Sequence, residues 1–134
     1  MTAFLRDTRI PMRLATNGSK GPLVQSLWFD LDDGCLWCAT QDSSLLAQRV
    51  ARDPRVGFEI ARDEPPYRGV RGTGRAEVLP DEAARILPAL IERYQGNERT
   101  ALSDWLLSRL DREVAIRIEP ATLTSWDYSG RMGR

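Results

Sequence analysis

A chain of 134 residues can form one core and, at that size, buries roughly two-thirds of its unfolded surface. Nineteen basic and nineteen acidic residues cancel to a formal net charge of zero, so the basic footprint expected of a nucleic-acid partner is missing. Histidine is absent and one lysine, Lys20, stands against eighteen arginines. That excludes a histidine base, a Ser/His/Asp triad and a histidine-ligated metal, and it leaves anion binding to arginine and backbone amides.

No apolar run approaches the ~20 residues of a membrane span, and the first residues do not read as a signal peptide. The expectation is a cytoplasmic protein with no membrane partner. Residues 1–8 open with a short helical turn. Residues 9–16 alternate, with Ile10, Met12 and Leu14 on one face and Arg13 and Ala15 on the other. They predict a first strand, and Pro11 places it at an edge or entry position. The cluster from Asn17 to Pro22 is a turn. Residues 23–31 form a second strand, Asp33-Gly34 tips a hairpin, and residues 35–40 form a third strand, which makes an antiparallel meander. Asp42-Ser43-Ser44 then opens a helix, with Ser or Asp as its N-cap and Leu46 and Val50 on its buried side. It stops at Asp53-Pro54, because a residue before proline avoids helical geometry. Residues 55–61 form the next strand, with Val56, Phe58 and Ile60 inward.

Residues 68–79 hold the longest strict alternation. Val70, Gly72, Gly74, Ala76 and Val78 face one way, and Arg71, Thr73, Arg75 and Glu77 the other. So many small residues suit a strand that another backbone or a flat ligand approaches closely. A helix is excluded, since each glycine would cost it about 1 kcal/mol. The glycine spacing is GxxGxG, with no phosphate-binding helix after it, so it is not a dinucleotide fingerprint.

Pro80-Asp81-Glu82 begins a helix running to about Tyr94, with Ile86, Leu87, Leu90 and Ile91 along one stripe, Pro88 as a distortion and Gly96-Asn97 as its end. A short helix over 103–110 follows, with Trp105 in the core. Residues 113–119 and 122–128 form two further strands separated by Pro120. The last six residues fray. Six or seven short strands with inserted helices predict a mainly β, α+β chain forming a closed antiparallel barrel, in a single domain over residues 1–134.

Cys35-Leu-Trp-Cys38 is a CxxC on a predicted strand, where residues three apart face opposite sides. With no further cysteine and no histidine, it supplies neither a redox pair nor a zinc set, and no metal is expected. Ser43 and Ser44 either cap their helix or present its amides to a phosphate; one geometry serves both. Arg13, Arg71 and Arg75 lie on non-core strand faces. They converge on an anion if their strands are neighbours, and otherwise form a solvated face paired with Glu59 or Glu77. Trp126 closes a pocket or a subunit contact.

Several motifs recur in one order: Arg13-Leu-Ala-Thr16, Ser26-Leu-Trp-Phe29 before Asp33-Gly34, Thr40 before a helix closing in Arg52-Asp-Pro-Arg-Val56, Pro65-Pro-Tyr-Arg-Gly-Val-Arg-Gly-Thr-Gly-Arg-Ala-Glu77, Ile118-Glu-Pro120 and Trp126-Asp127. In this the chain resembles the pyridoxamine 5'-phosphate oxidase-like family of flavin-binding split barrels, over about residues 5 to 128. The resemblance implies an antiparallel split β-barrel and a homodimer. It also implies flavin mononucleotide (FMN), or in some relatives a deazaflavin or haem, in clefts at the subunit interface, and a small-molecule substrate for an oxidoreductase. Carried over, Arg13, Leu14, Ala15 and Thr16 lie along the cofactor with backbone groups toward the ring edge. Ala39 and Thr40 lie near the ribityl-phosphate, Ser43, Ser44 and Leu46 face the phosphate, Arg71 adds a charge, and Trp126 covers the site.

The chain departs from the family pattern at three places. Leu45-Leu46 stands where flavin-binding members place a basic pair. Either Arg49 one turn on replaces it, or Arg13 and Arg71 suffice, or the chain binds flavin weakly or not at all and acts as a binding or carrier protein. Gly69 stands in place of the family's glutamine. The late arginine and histidine of true oxidases have no match, so vitamin B6 oxidation is not expected, and no residue is assigned a catalytic role.

Overall fold

The computed structural model describes residues 2–96 and 100–130. Its elements are α1 (Thr2–Asp7), β1 (Met12–Thr16), β2 (Leu23–Leu27), β3 (Asp30–Asp32), β4 (Cys35–Gln41), α2 (Leu45–Arg52), β5 (Arg55–Ala61), β6 (Arg68–Leu79), α3 (Ala83–Gln95), α4 (Ala101–Ser108) and β7 (Glu113–Asp127), with short 3-10 turns before α3 and before β7. The seven strands form one antiparallel sheet in the order β2-β1-β5-β6-β7-β4-β3.

The two edge strands of that order, β2 and β3, are joined by Trp28 and Phe29 alone. Three Cα steps span about 11 Å. Laid flat, the six strand spacings would put the edges about 29 Å apart. The sheet therefore curls until its edges meet, which gives the split-barrel fold. A single cluster of buried side chains fills the curl and unites residues from both halves, among them Met12, Leu14, Phe58, Ile60, Val70, Leu36, Cys38, Ile116 and Ile118. Leu5 of α1 and Leu46 and Val50 of α2 belong to the same cluster.

Two strand predictions change. The run 23–31 is broken after Leu27, because Trp28 stacks on Tyr94 with ring centroids 5.1 Å apart and Phe29 N–H donates to the Tyr94 hydroxyl at 3.3 Å. The chain leaves β1 there and pairs with β4 instead. Conversely, Pro120 does not divide β7. Pairing with β4 ends at Ile118, and Ala121 is an extra residue between the pairs Thr73↔Thr122 and Gly74↔Pro120. A strand edge at a bulge is where a missing N–H is tolerated. The helix stop is described as far as Gly96, at φ 78°, and Asn97 and residues 131–134 lie outside the described residues.

The small residues of β6 face inward, toward protein and not toward a ligand. A Cβ on Gly72 would run into the Thr122 carbonyl oxygen and the Phe58 ring, and one on Gly74 would lie 2.6 Å from the Glu119 carbonyl oxygen. The close approach is that of β7. Gly57, by contrast, has room: its Cβ would sit 3.8 Å from the Gly72 carbonyl oxygen and 3.9 Å from the Ala15 Cβ. Gly72→Ala should therefore lower stability by about 2–3 kcal/mol in urea unfolding, and Gly57→Ala by well under about 1 kcal/mol. Equal losses would show that the β6–β7 approach does not govern packing.

Candidate functional site

Strand alternation sends Arg13 and Ala15 outward from β1, Gly57 and Glu59 from β5, and Arg71 and Thr73 from β6. The registers align them in two rows. One runs Ser26, Arg13, Glu59, Arg71, Thr124, and the next runs Val24, Ala15, Gly57, Thr73, Thr122. The second row is nearly flat: its centre carries a methyl, a glycine and two threonines, and Thr73 and Thr122 bond to each other through their hydroxyls at 2.8 Å. The first row carries alternating charge.

β1 and β6 are not neighbours, which corrects the picture of their arginines converging across one ladder. They flank β5, so Arg13 and Arg71 stand two strand spacings, about 10 Å, apart with Glu59 between them. Arg13 Nη1 lies 4.0 Å from Glu59 Oε1, with both side chains more than 40% exposed. Such a pair is worth about 0–1 kcal/mol, so Arg13 is readily released to an anion. Arg71 is exposed, and its guanidinium lies 4.6 Å from the Trp126 ring centroid.

Gly69 explains how Trp126 is seated. A Cβ at Gly69 would fall 2.7 Å from Trp126 Cζ2 and 2.6 Å from Ala61 Cβ. The missing side chain makes the bed on which the indole lies, and the indole in turn carries Arg71.

The other candidates are placed differently. Leu14 and Thr16 point into the core, at 0% and 1% exposure, so Leu14 can meet a ligand only through its backbone. The Thr16 hydroxyl is buried without a hydrogen-bond partner among the described residues. Ala39 packs outward under α3, beside Trp37, while Thr40 is half-buried farther along β4. Ser44 is the N-cap of α2, and its hydroxyl accepts from Ala47 N–H at 3.0 Å. Ser43 is exposed. Leu45 is 52% exposed, whereas Leu46 is in the core. Arg49 donates from Nη1 to the Gly21 carbonyl at 3.2 Å and lies against Gly18, so it pins the turn between β1 and β2. The structure thus leaves Arg13 and Arg71 as the cations on the flat face, together with exposed Arg75 farther along β6. The 470 Å³ cavity beside Pro54, lined by Arg75, Glu77, Arg117 and Glu119, contains none of the candidate cofactor residues.

Cys35 and Cys38 are free strand thiols. Cys38 is fully buried and burial pushes its thiol up to about 12, so it is inert; burial raises the Cys35 thiol as well. Among the described residues no group of three or more Cys, Asp or Glu could hold a metal. Trp105, expected in the core, is 51% exposed under the Arg109 guanidinium, because α4 buries only Ser103. No helix of the described residues is long and apolar enough to cross a membrane.

The Ala15–Gly57–Thr73 surface is flat, and Arg13 and Arg71 stand at its border as exposed cations. Gly57 was readable as a pointer to this patch, since a glycine inside a strand marks a close approach. The registers that align it with Ala15 and Thr73 were not readable.

Comparison with known proteins agrees with this architecture. The family described as Pyridoxamine 5'-phosphate oxidase matches residues 1–127. Among solved structures, a conserved hypothetical protein from Mycobacterium tuberculosis is 27% identical at a TM-score of 0.83, over 99% of this chain and 87% of that one. An F420 reductase is 23% identical at a TM-score of 0.73, over 90% of this chain and 93% of that one. The haem storage protein HutZ from Vibrio cholerae is 19% identical at a TM-score of 0.71, over 92% of this chain and 90% of that one. The last two share the fold. No curated protein matches the sequence.

Gly69→Ala should unseat Trp126. The expected result is a shift in tryptophan emission and a loss of about 1–3 kcal/mol of stability, while Gly130→Ala, with nothing within 4 Å of the added carbon, should change neither. Unchanged emission in Gly69→Ala would show that the indole does not rest on Gly69.

Proposed function

The chain belongs to the pyridoxamine 5'-phosphate oxidase family, and from that premise we propose that it binds a flavin, FMN in the first instance, between two copies of itself and serves as a flavin-dependent oxidoreductase for a small organic molecule. The observation that carries the reading is the uncovered strip of β1, β5 and β6, flat at Ala15, Gly57 and Thr73 and flanked by Arg13 and Arg71. The ring would lie on the small residues, with the outward row of the partner closing the slot. A bound flavin supplies the hydride or electron chemistry. The protein's own residues position it: Arg13 and Arg71 neutralise the anionic tail, and Trp126 holds Arg71 in place. No side chain is assigned a proton transfer.

A second reading rests on Leu45-Leu46, which puts an exposed leucine and a core leucine where the family's basic pair would meet a phosphate. On this reading the chain is a dimeric binding or carrier protein that holds a deazaflavin or haem, or that has lost its cofactor. Both readings use the same face, and they differ in what the arginines must neutralise.

The first measurement is the visible spectrum of the freshly purified protein, which should show a flavin band released on denaturation. Added FMN should bind at least ten-fold more tightly than riboflavin, and Arg13→Ala and Arg71→Ala should each weaken FMN by about ten-fold, or 1.4 kcal/mol, with riboflavin little affected. Equal affinity of the unmutated protein for both ligands removes the phosphate clamp. Colourless protein that takes up no flavin, yet loses tryptophan fluorescence on adding a deazaflavin or haem, selects the second reading. Sedimentation at micromolar concentration should show a dimer, and a monomer would leave the slot without its second wall.

A further inference from the structure

A second recess lies around the barrel from the flat face, where α3 packs on the outer side of β4 and α4 lies against α3. Its volume is 250 Å³. Leu87 and Leu90, at 4% and 2% exposure, form its floor, and Trp28, Leu102 and Leu106 its walls. One ionisable group, Glu113, breaks this apolar lining.

The surroundings of Glu113 are unusual for a carboxylate. Its strand partner Gln41 donates from Nε2 to Glu113 Oε2 at 2.8 Å. The Gln41 amide is itself oriented by Arg109, whose Nη2 donates to Gln41 Oε1 at 2.6 Å. Arg109 is further occupied by the Trp105 ring, 4.5 Å away. The carboxylate is therefore fixed by a neutral amide, and among the described residues it forms no ion pair. Oε1 has no hydrogen-bond partner among them. Burial pushes the Glu113 carboxyl above its ordinary value, although the Gln41 hydrogen bond and the Arg109 charge oppose the shift. A half-buried carboxylate beside leucines, held by an amide and in no direct ion pair among the described residues, is a place that favours an incoming cation.

We propose that this recess binds a compact apolar molecule carrying one cationic nitrogen, the apolar body lying among Trp28, Leu87, Leu90, Leu102 and Leu106 and the nitrogen donating to Glu113. At 250 Å³ the recess is just below the usual range for ligand pockets, so the body is a single ring or a short branched chain. Ala39 lies in the lining and is also a candidate cofactor residue, and Ser26 at the rim is the register partner of Arg13. The recess thus adjoins the proposed flavin face. Its role as the substrate site rests on that reading, whereas its preference for an apolar cation does not.

The test is calorimetric titration of the full, cofactor-free chain with three probes of one shape: 2-phenylethylamine, 2-phenylethanol and phenylacetate. The amine should bind at least ten-fold more tightly than the alcohol, and the acid most weakly. Glu113→Gln, which keeps shape and hydrogen bonding, should bring the amine to the affinity of the alcohol and leave the alcohol unchanged. The proposal is overturned if no probe binds, if amine and alcohol bind equally, if the acid binds as well as the amine, or if Glu113→Gln keeps the amine preference. The three-probe series in the unmutated protein decides the matter even where the variant does not fold. Flavin uptake is read separately. A chain that refuses flavin but prefers the amine keeps this recess and loses the oxidoreductase reading, and the opposite pair of results does the reverse.

Discussion

The two-residue link between β2 and β3 is the constraint on which the rest of the molecule depends. It joins the two edges of the sheet across a distance that a flat sheet would not allow. Curling follows, and with it one interior that buries Met12, Leu14, Phe58, Ile60, Leu36 and Ile116 together. The link is itself anchored from outside by Tyr94 of α3, which stacks on Trp28 while its hydroxyl accepts from Phe29 N–H and donates to the Ile10 carbonyl. One tyrosine thus ties α3, the edge junction and the segment before β1. Burial raises its phenol above the ordinary value, so it remains a neutral donor.

Because α3 covers β4 and the start of β7, those stretches are buried on both faces; Ala115 meets α3 while Ile116 and Ile118 meet the barrel interior. Among the described residues the outward faces of β1, β5 and β6 receive no such cover and keep arginine, glutamate, threonine and glycine. The molecule is therefore two-sided. One side has apolar cover and a small apolar recess; the other has an open, charge-alternating strip. The two proposals divide along this line, the flat anionic ligand assigned to the strip and the apolar cation to the recess.

Most of the fold could be read from residue pattern. The alternation of residues 68–79, the Asp33-Gly34 turn with both φ angles positive, and the stop at Asp53-Pro54 are local signals, and they appear as expected. What failed was tertiary. The break after Leu27 depends on Tyr94, which holds Phe29 from sixty-five residues away, and the continuity of β7 through Pro120 depends on β4 having already ended. Site legibility divides in the same way. Outward Arg13 and Arg71 follow from period-two alternation, but the Glu59 between them follows from strand order, which alternation does not encode. Trp105 misled because apolar spacing on a short helix resembles core spacing, whereas α4 packs loosely. Glu113 gave no sequence signal, since its setting is made by Gln41 and by leucines on two helices.

The absence of a basic pair at Leu45-Leu46 need not abolish anion binding, but it changes its character. A helix N-terminus contributes about 0.3–1 kcal/mol toward an anion at an exposed site, far less than a desolvated arginine pair. Ser44 already uses its hydroxyl to cap Ala47, and Arg49 is held by the β1–β2 turn, so the α2 end offers dipole and amides without a side-chain cation. On the proposed reading the charge falls to Arg13 and Arg71, on a strip whose central member is Glu59. Any anion entering there gains two guanidinium groups and meets one carboxylate. On that reading an extended ligand whose negative groups avoid Glu59 suits the strip better than a compact phosphate, and the one glutamate on β5 weighs on the proposed cofactor as much as the missing basic pair does.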